Sequence, residues 1–310
     1  MMNKFFKIIL AGFVGLLSAP AFSSDLSPLI TPLELASTTK SPFILDIRTK
    51  GFQLGHIEGA VAAPYSLFRG PAENPGQVPP HSQLEAIYEA SGLELSSFIV
   101  IVSHGDSDTD FGAAARVYWT LKSSGFTELS VLNGGLLAWK SAGLPLSKEV
   151  IAPKPTQLDI TWDDTWSVSA DKVTQMASGA IQGKLVDART PAFFMGEKAH
   201  KAAKRPGTLP TAQNLPHTEF FSSGTTTLKH NIDIASLKST LGIEAGDAVV
   251  SFCNTGHWAA TNWFAMSEIA GIENVKLYPG SMVEYSQTNG EMKNQPSIIR
   301  NLINKLTGKS

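Results

Sequence analysis

Cys253 is the only cysteine in the chain, and its neighbours are those with which a thiol can act as a nucleophile. It closes the apolar run Val249-Val250-Ser251-Phe252 and is followed by Asn254-Thr255-Gly256-His257-Trp258-Ala259-Ala260. That order reads as a buried strand, a tight polar loop with a glycine, and a helix start. Such a loop can curl its backbone N–H groups inward. Together with the positive end of the following helix it favours an anion, the thiolate of Cys253 included. The thiolate is the reactive form, and helix N-termini favour it. The alternative is a buried cysteine that merely ends a strand. His257 is either a group that steers an anionic donor and tunes the thiolate, or a loop histidine in solvent. Trp258 either walls a pocket or packs under the helix.

The elements that hold this loop occur twice. Phe43-Ile44-Leu45 leading into Asp46-Ile47-Arg48 is answered by Lys184-Leu185-Val186 leading into Asp187-Ala188-Arg189, 141 residues later. Gly55-His56-Ile57-Glu58-Gly59-Ala60 with Pro64 is answered by Gly207-Thr208-Leu209-Pro210-Thr211-Ala212 with Pro216. Ile99 to Val102, ending at Ser103, answers Val249 to Phe252, ending at Cys253. Trp119 answers Trp263, and Asn133-Gly134-Gly135 with Trp139 answers Pro279-Gly280-Ser281 with Tyr285. Matches in this order, with offsets drifting only as loops change length, indicate a tandem duplication. The boundary falls near Pro145 to Pro155, giving halves at 24–148 and 156–300. In each half short Val/Ile/Leu runs alternate with helical segments such as Ala113 to Ser123 and Trp258 to Ile269. This pattern predicts an α/β fold, a mostly parallel sheet flanked by helices in each half. Sites in such sheets form where strands end at the carboxyl edge, and Cys253 is at such a point.

Composition narrows the partners. The net charge is −2 and no Lys/Arg block is interleaved with aromatics, so nothing points to nucleic acid. Lys4 and Lys7 precede an apolar run from Ile8 to Leu17 and small residues to Ser23, which reads as a signal peptide over 1–23. That run is short of the roughly 20 residues of a permanent anchor, so a soluble periplasmic or secreted protein is expected. Export usually brings paired cysteines. A single one is either filler or a thiol kept for its reactivity.

The Cys-x-x-Gly-x-x-Ala loop after a strand, the upstream Asp-x-Arg and the Gly-His-Ile-x-Gly-Ala segment together resemble the rhodanese family. The resemblance spans about residues 30 to 290 and includes Asn133-Gly134-Gly135 with Trp139 and Gly280-Ser281 with Glu284. It implies two tandem rhodanese-like domains and a ping-pong sulfurtransferase. Cys253 would take the outer sulfur of a small anionic donor of the thiosulfate or 3-mercaptopyruvate type and hold it as a persulfide. A thiophilic acceptor, cyanide, a small thiol or a protein thiol, would then receive it. No metal or organic cofactor is implied. The substrate-binding loop would be Asn254, Thr255, Gly256, His257, Trp258 and Ala259, with Arg189 lending charge. Because both halves carry Asp-x-Arg, a structural salt bridge or loop anchor is the favoured role of the pair. The first half, with Ser103 in place of the nucleophile, is expected to be inactive and to wall the site.

Departures bear on the donor. Thiosulfate-using relatives resemble a pattern with a cation two residues after the nucleophile and a second arginine four after the Asp-x-Arg arginine. Here those positions are Thr255 and Phe193. Mercaptopyruvate-using relatives tend to have Gly-Ser after the nucleophile, where this loop has Asn254-Thr255. The basic insertion Lys198, Lys201, Lys204 and Arg205 would attract anions if it folds over the site. A cysteine phosphatase would need an arginine six residues beyond the nucleophile, at Ala259. An exported sulfur carrier without steady turnover is the rival outside enzymology.

Overall fold

The computed structural model describes residues 27–296. The signal-peptide reading of 1–23 and the last residues of the second half lie outside them. The first half runs β1 (Leu29–Ile30), α1 (Pro32–Ser37), β2 (Phe43–Asp46), β3 (Val61–Ala62), α2 (His81–Ser91), β4 (Ile99–Val102), α3 (Asp108–Ser123), β5 (Leu129–Leu132) and α4 (Gly135–Ser141). The second runs α5 (Ala170–Ala177), β6 (Lys184–Asp187), α6 (Pro191–Phe194), β7 (Gln213–Asn214), α7 (Ile234–Leu241), β8 (Val249–Phe252), α8 (Trp258–Phe264), β9 (Val275–Leu277) and α9 (Ser281–Tyr285).

Each half is one parallel sheet, ordered β1-β5-β4-β2-β3 in the first and β7-β6-β8-β9 in the second. The central strands β4 and β8 are buried along their whole length, as unbroken apolar runs covered by helices on both faces must be. The duplication extends to the edge: where β1 pairs with β5, Ser167 makes a parallel bridge to Leu277 of β9. Register places the chemistry. Asp187 pairs with Phe252 and the Ala188 N–H donates to the Phe252 carbonyl at 2.9 Å, so Asp187-Ala188-Arg189 ends beside Cys253.

The sequence reading starts the first-half helix at Ala113, but α3 begins at Asp108. Ser107 caps it by accepting from the Asp110 N–H at 3.3 Å, so a polar first turn precedes the apolar stretch. The helical pattern after Cys253 is α8 followed by a π turn over Ala265–Ile269.

The halves share a core. Alanines 113–115 and 259–260 keep both helix faces small where α3 meets α8, and around them Phe111 and Tyr118 set their rings edge-on to Phe264 at 5.6 and 4.9 Å. The segment after Ser147 has no regular structure. It straps the first half, with the Thr156 N–H on the Glu89 carbonyl and the Leu158 and Ile160 N–H groups on the Glu89 and Glu85 carboxylates. Asn133 staples the halves at the far side. Its amide donates to the Leu228 carbonyl at 3.0 Å and accepts from the Leu228 N–H at 2.8 Å. Asn133→Ala leaves both buried backbone groups unpaired and is expected to cost about 1–3 kcal/mol, read as a lower urea midpoint. Among the described residues no helix is long and apolar enough to cross a membrane, and no cluster of three or more His, Cys, Asp or Glu could hold a metal.

Candidate active site

Cys253 lies at the carboxyl end of β8 with 1% of its surface exposed. The loop that follows is braced so that its carbonyls are all engaged. The Cys253 carbonyl accepts from the Met282 N–H and the Asn254 carbonyl from the Val283 N–H, each at 3.0 Å. The Thr255 carbonyl accepts from Arg69 Nη2 at 2.9 Å and the Gly256 carbonyl from Arg116 Nη1 at 3.3 Å. Ser281 Oγ accepts the N–H groups of Cys253 and Gly256 at 3.1 and 3.0 Å and donates to the Tyr278 carbonyl. The N–H groups of Asn254 and Thr255 have no acceptor among the described residues. What the loop has left to offer is therefore donors. Such a loop stabilises a sulfur anion by fixed dipoles.

The loop is tight enough to require glycine at 256. Gly256 has φ +65°, and a Cβ there would collide with the Arg116 guanidinium and the Pro279 carbonyl. Ser281 also sits in the left-handed region, at φ +52°. Its repeat partner Gly135 has φ +59° and no hydroxyl, so the hydroxyl brace under Cys253 has no counterpart under Ser103.

Both arginines come from the half that lacks a nucleophile. Arg116 is fully buried in α3, stacks over Trp119 at 4.8 Å and gives Nη2 to the Gly76 carbonyl at 2.8 Å, while its Nε has no partner among the described residues. Burial, reinforced by Arg69, lowers its pKa to about 9, which leaves it a cation at neutral pH. Arg69 Nη1 donates to the Tyr65 hydroxyl at 3.0 Å. Tyr65 in turn donates to His257 Nδ1 at 2.8 Å, because His257 Nε2 must donate to the Thr109 carbonyl, also at 2.8 Å. Burial and the charge of Arg69 push His257 down to about 3. A neutral imidazole with both nitrogens spent on protein groups cannot steer a donor by charge. The ring bridges the halves through Tyr65 and Thr109, and the cations bonded to the loop's carbonyls are Arg69 and Arg116.

The other sequence-derived residues gather at the same sheet edge. Arg189 is 2% exposed and forks onto Asp187, with Nε and Nη2 at 2.9 and 2.6 Å. Its Nη1 reaches Asn254 Oδ1 at 3.3 Å, so it anchors the loop's side chain, while the Phe193 ring covers its guanidinium at 6.0 Å. Trp258 stacks on His217 at 4.6 Å and donates to Thr109 Oγ1 at 3.1 Å, a packing and interface role. Ala259 is buried in the first turn of α8. The basic insertion folds onto α9 and the turn after it, with Arg205 on the carbonyls of Ser286, Thr288 and Gly290. His200 within it is lowered by burial and then by the charges of Lys201 and Arg69. His56 is buried in the first half against Phe52, and His104 is exposed; neither touches the loop.

Sequence reasoning did not reach Tyr65, Arg69, Thr109 and Arg116, and it named Ser281 only as part of the repeat, with no role at the loop. Arg116 left a signal as a lone cation in the run Ala113-Ala114-Ala115-Arg116-Val117, and Ser281 did so as the residue that answers Gly135.

The loop after β4 differs from the loop after β8 in more than Ser103 for Cys253. Asp110 Oδ2 accepts the N–H groups of Gly105 and Asp106 at 3.2 and 3.1 Å. The position an anion would take is filled by the protein's own carboxylate.

A pH effect follows from His257. Its folded-state pKa of about 3 lies below the ordinary 6.5. The stability it contributes as a neutral ring is complete above about pH 6.5 and is lost as the pH falls towards 3, because the unfolded chain binds the proton first. His217, also lowered by burial, acts in the same direction. Urea midpoints measured from pH 7.5 to 4.5 are expected to fall less steeply in His257→Gln than in the parent.

Comparison with known proteins agrees with this architecture. The family model for the rhodanese-like domain matches residues 31–142 and 169–288. The chain is similar to the thiosulfate sulfurtransferase of Azotobacter vinelandii, 29% identical over 266 residues that cover 84% of this chain and 95% of the relative. It is also similar to the sulfur carrier protein TtuD of Thermus thermophilus, 28% identical over 207 residues, 64% of this chain and 72% of that one. Among solved structures, the 3-mercaptopyruvate sulfotransferase SseA of Escherichia coli shares the fold, with a TM-score of 0.71 and 21% identity over 83% of this chain and 99% of that one. With both halves matched by one family model and both sheets carrying the fold, the chain belongs to the rhodanese family as a tandem two-domain member.

Proposed function

We propose that the protein is a sulfurtransferase that moves a sulfane sulfur from a small anionic donor to a thiophilic acceptor through a persulfide on Cys253. The names of its relatives support the enzyme class. The observation that carries the mechanism is the loop accounting: the carbonyls of residues 253–256 are all held by donors, leaving free N–H groups next to the only thiol.

With thiosulfate, the Cys253 thiolate attacks the outer sulfur, the S–S bond of the donor breaks, and sulfite leaves with the electron pair. Cyanide or a thiolate then attacks the outer sulfur of the persulfide, and the Cys253 thiolate returns. The donor's charge is met by Arg69, with the basic insertion beside it, which supplies from outside the loop the cation that Thr255 does not. Thiosulfate and 3-mercaptopyruvate are both small anions that suit this setting.

A carrier role is the second reading, favoured by the similarity to a protein named as a sulfur carrier. Steady thiocyanate formation from cyanide and either donor supports the enzyme. Failure of both donors to turn over, with sulfur accepted only from a persulfidated protein, supports the carrier. We further propose export on the strength of Lys4, Lys7 and the apolar run to Leu17. Fractionation that finds the shortened chain outside the cytoplasm supports it, and a full-length cytoplasmic chain contradicts it.

A further inference from the structure

The inactive half keeps a cavity of about 430 Å³ at the carboxyl edge of its sheet, the place that Cys253 occupies in the other half. Its walls include Arg48, Lys50, Ser103, Asp106 and Thr109, and the second half closes it with His257. The volume is within the range of about 300–1,000 Å³ typical of small-molecule sites.

Comparing the halves shows what the cavity can bind. In the second half Arg189 Nη1 is satisfied by the side chain of Asn254, the residue after the nucleophile. In the first half the residue after Ser103 is His104, whose half-exposed side chain lines the cavity 3.9 Å from Asp106 and makes no hydrogen bond to Arg48 among the described residues. Arg48 still forks onto Asp46 and gives Nη2 to the Gly55 carbonyl. Its Nη1 is left without an acceptor among the described residues, on a side chain only 8% exposed that lines the cavity. The Ser103 hydroxyl, on a residue 5% exposed, is likewise unpartnered and lines the same space. Lys50 adds a solvent-facing ammonium. All three donors line this one cavity, and together they suit a carboxylate.

Carboxylates line the same cavity. Asp110 plugs the loop N–H groups, so no anion can sit in the cradle as it would around Cys253. Asp106 presents its carboxylate at the rim, and such a group suits an ammonium. Cationic and anionic side chains lining one small cavity suit a ligand that carries both charges. We propose that the inactive half binds a free α-amino acid in this cavity, its carboxylate on Arg48, Lys50 and Ser103 and its ammonium on Asp106. Tyr65 and His257, which form the wall towards the second half, also brace the nucleophile loop, so occupancy is placed to be felt there.

The test is calorimetric titration of the unmodified protein with L-alanine, propionate and ethylamine, which share a size and differ in charge. L-Alanine is expected to bind, with propionate and ethylamine each weaker by about tenfold or more, the effect of losing one charged contact. Lys50→Ala and Asp106→Asn change exposed groups outside the nucleophile loop, and each is expected to weaken L-alanine by a similar factor. Propionate or ethylamine binding as tightly as L-alanine would overturn the zwitterion assignment. Absence of L-alanine binding at millimolar concentration, or affinity unchanged in both variants, would overturn the site.

Discussion

Replacing Cys253 by alanine is expected to lower thiocyanate formation from thiosulfate or 3-mercaptopyruvate by at least about 10³-fold, the scale of removing a covalent nucleophile. The fold should remain, because the change deletes one atom from a buried position and leaves the backbone braces intact, at a cost of about 1 kcal/mol. Cys253→Ser is the sharper variant. It recreates the Ser103 of the first half, keeps the volume, and leaves an oxygen that cannot hold transferable sulfur. Both variants should unfold within a few degrees of the parent by circular dichroism. Residual activity above a tenth of the parent in either would remove Cys253 from the reaction.

Arg116→Met carries the second large effect and tests whether the first half takes part in the chemistry. The methionine fills most of the space beside Trp119 but gives no hydrogen bonds to the carbonyls of Gly76 and Gly256. Two buried carbonyls left unpaired cost about 2–4 kcal/mol together. A Gly256 carbonyl free to turn towards the sulfur opposes the anion that the loop otherwise stabilises. The rate of sulfur transfer is therefore expected to fall about 10²-fold, as when one donor of an oxyanion site is lost. Arg116→Lys keeps the charge but not the fork, so it should recover only part of the rate. If Arg116→Met lowers stability alone and leaves kcat unchanged, the arginine is a strut and nothing more.

The parts of the molecule legible in the sequence are those set by local chemistry. Unbroken apolar runs such as Ile99 to Val102 are strands buried on both faces, and the repeated Asp-x-Arg marks the ends of two equivalent strands. The order Phe252-Cys253-Asn254-Thr255-Gly256 fixes a strand-to-helix loop without reference to anything distant. The remainder depends on contacts between residues far apart in the chain. Arg69 and Thr255, or Tyr65 and His257, meet only because α3 packs on α8 and brings the first half's loops over the second half's sheet edge. The first half reads as inactive from Ser103, and that reading led away from the arginines it contributes. His257 reads as a titratable loop residue from its position alone. Its hydrogen bonds to Tyr65 and Thr109, and the lowered pKa that goes with them, are properties of the docked halves.

The most direct test of the persulfide on Cys253 is intact mass spectrometry of the protein after incubation with thiosulfate and, separately, with 3-mercaptopyruvate, followed by cyanide. With at least one donor, a gain of one sulfur atom is expected, located to the peptide that contains Cys253, removed by cyanide and absent from Cys253→Ala. An unchanged mass with both donors, while Cys253 is still alkylated by iodoacetamide, would contradict sulfur transfer from these donors through this cysteine.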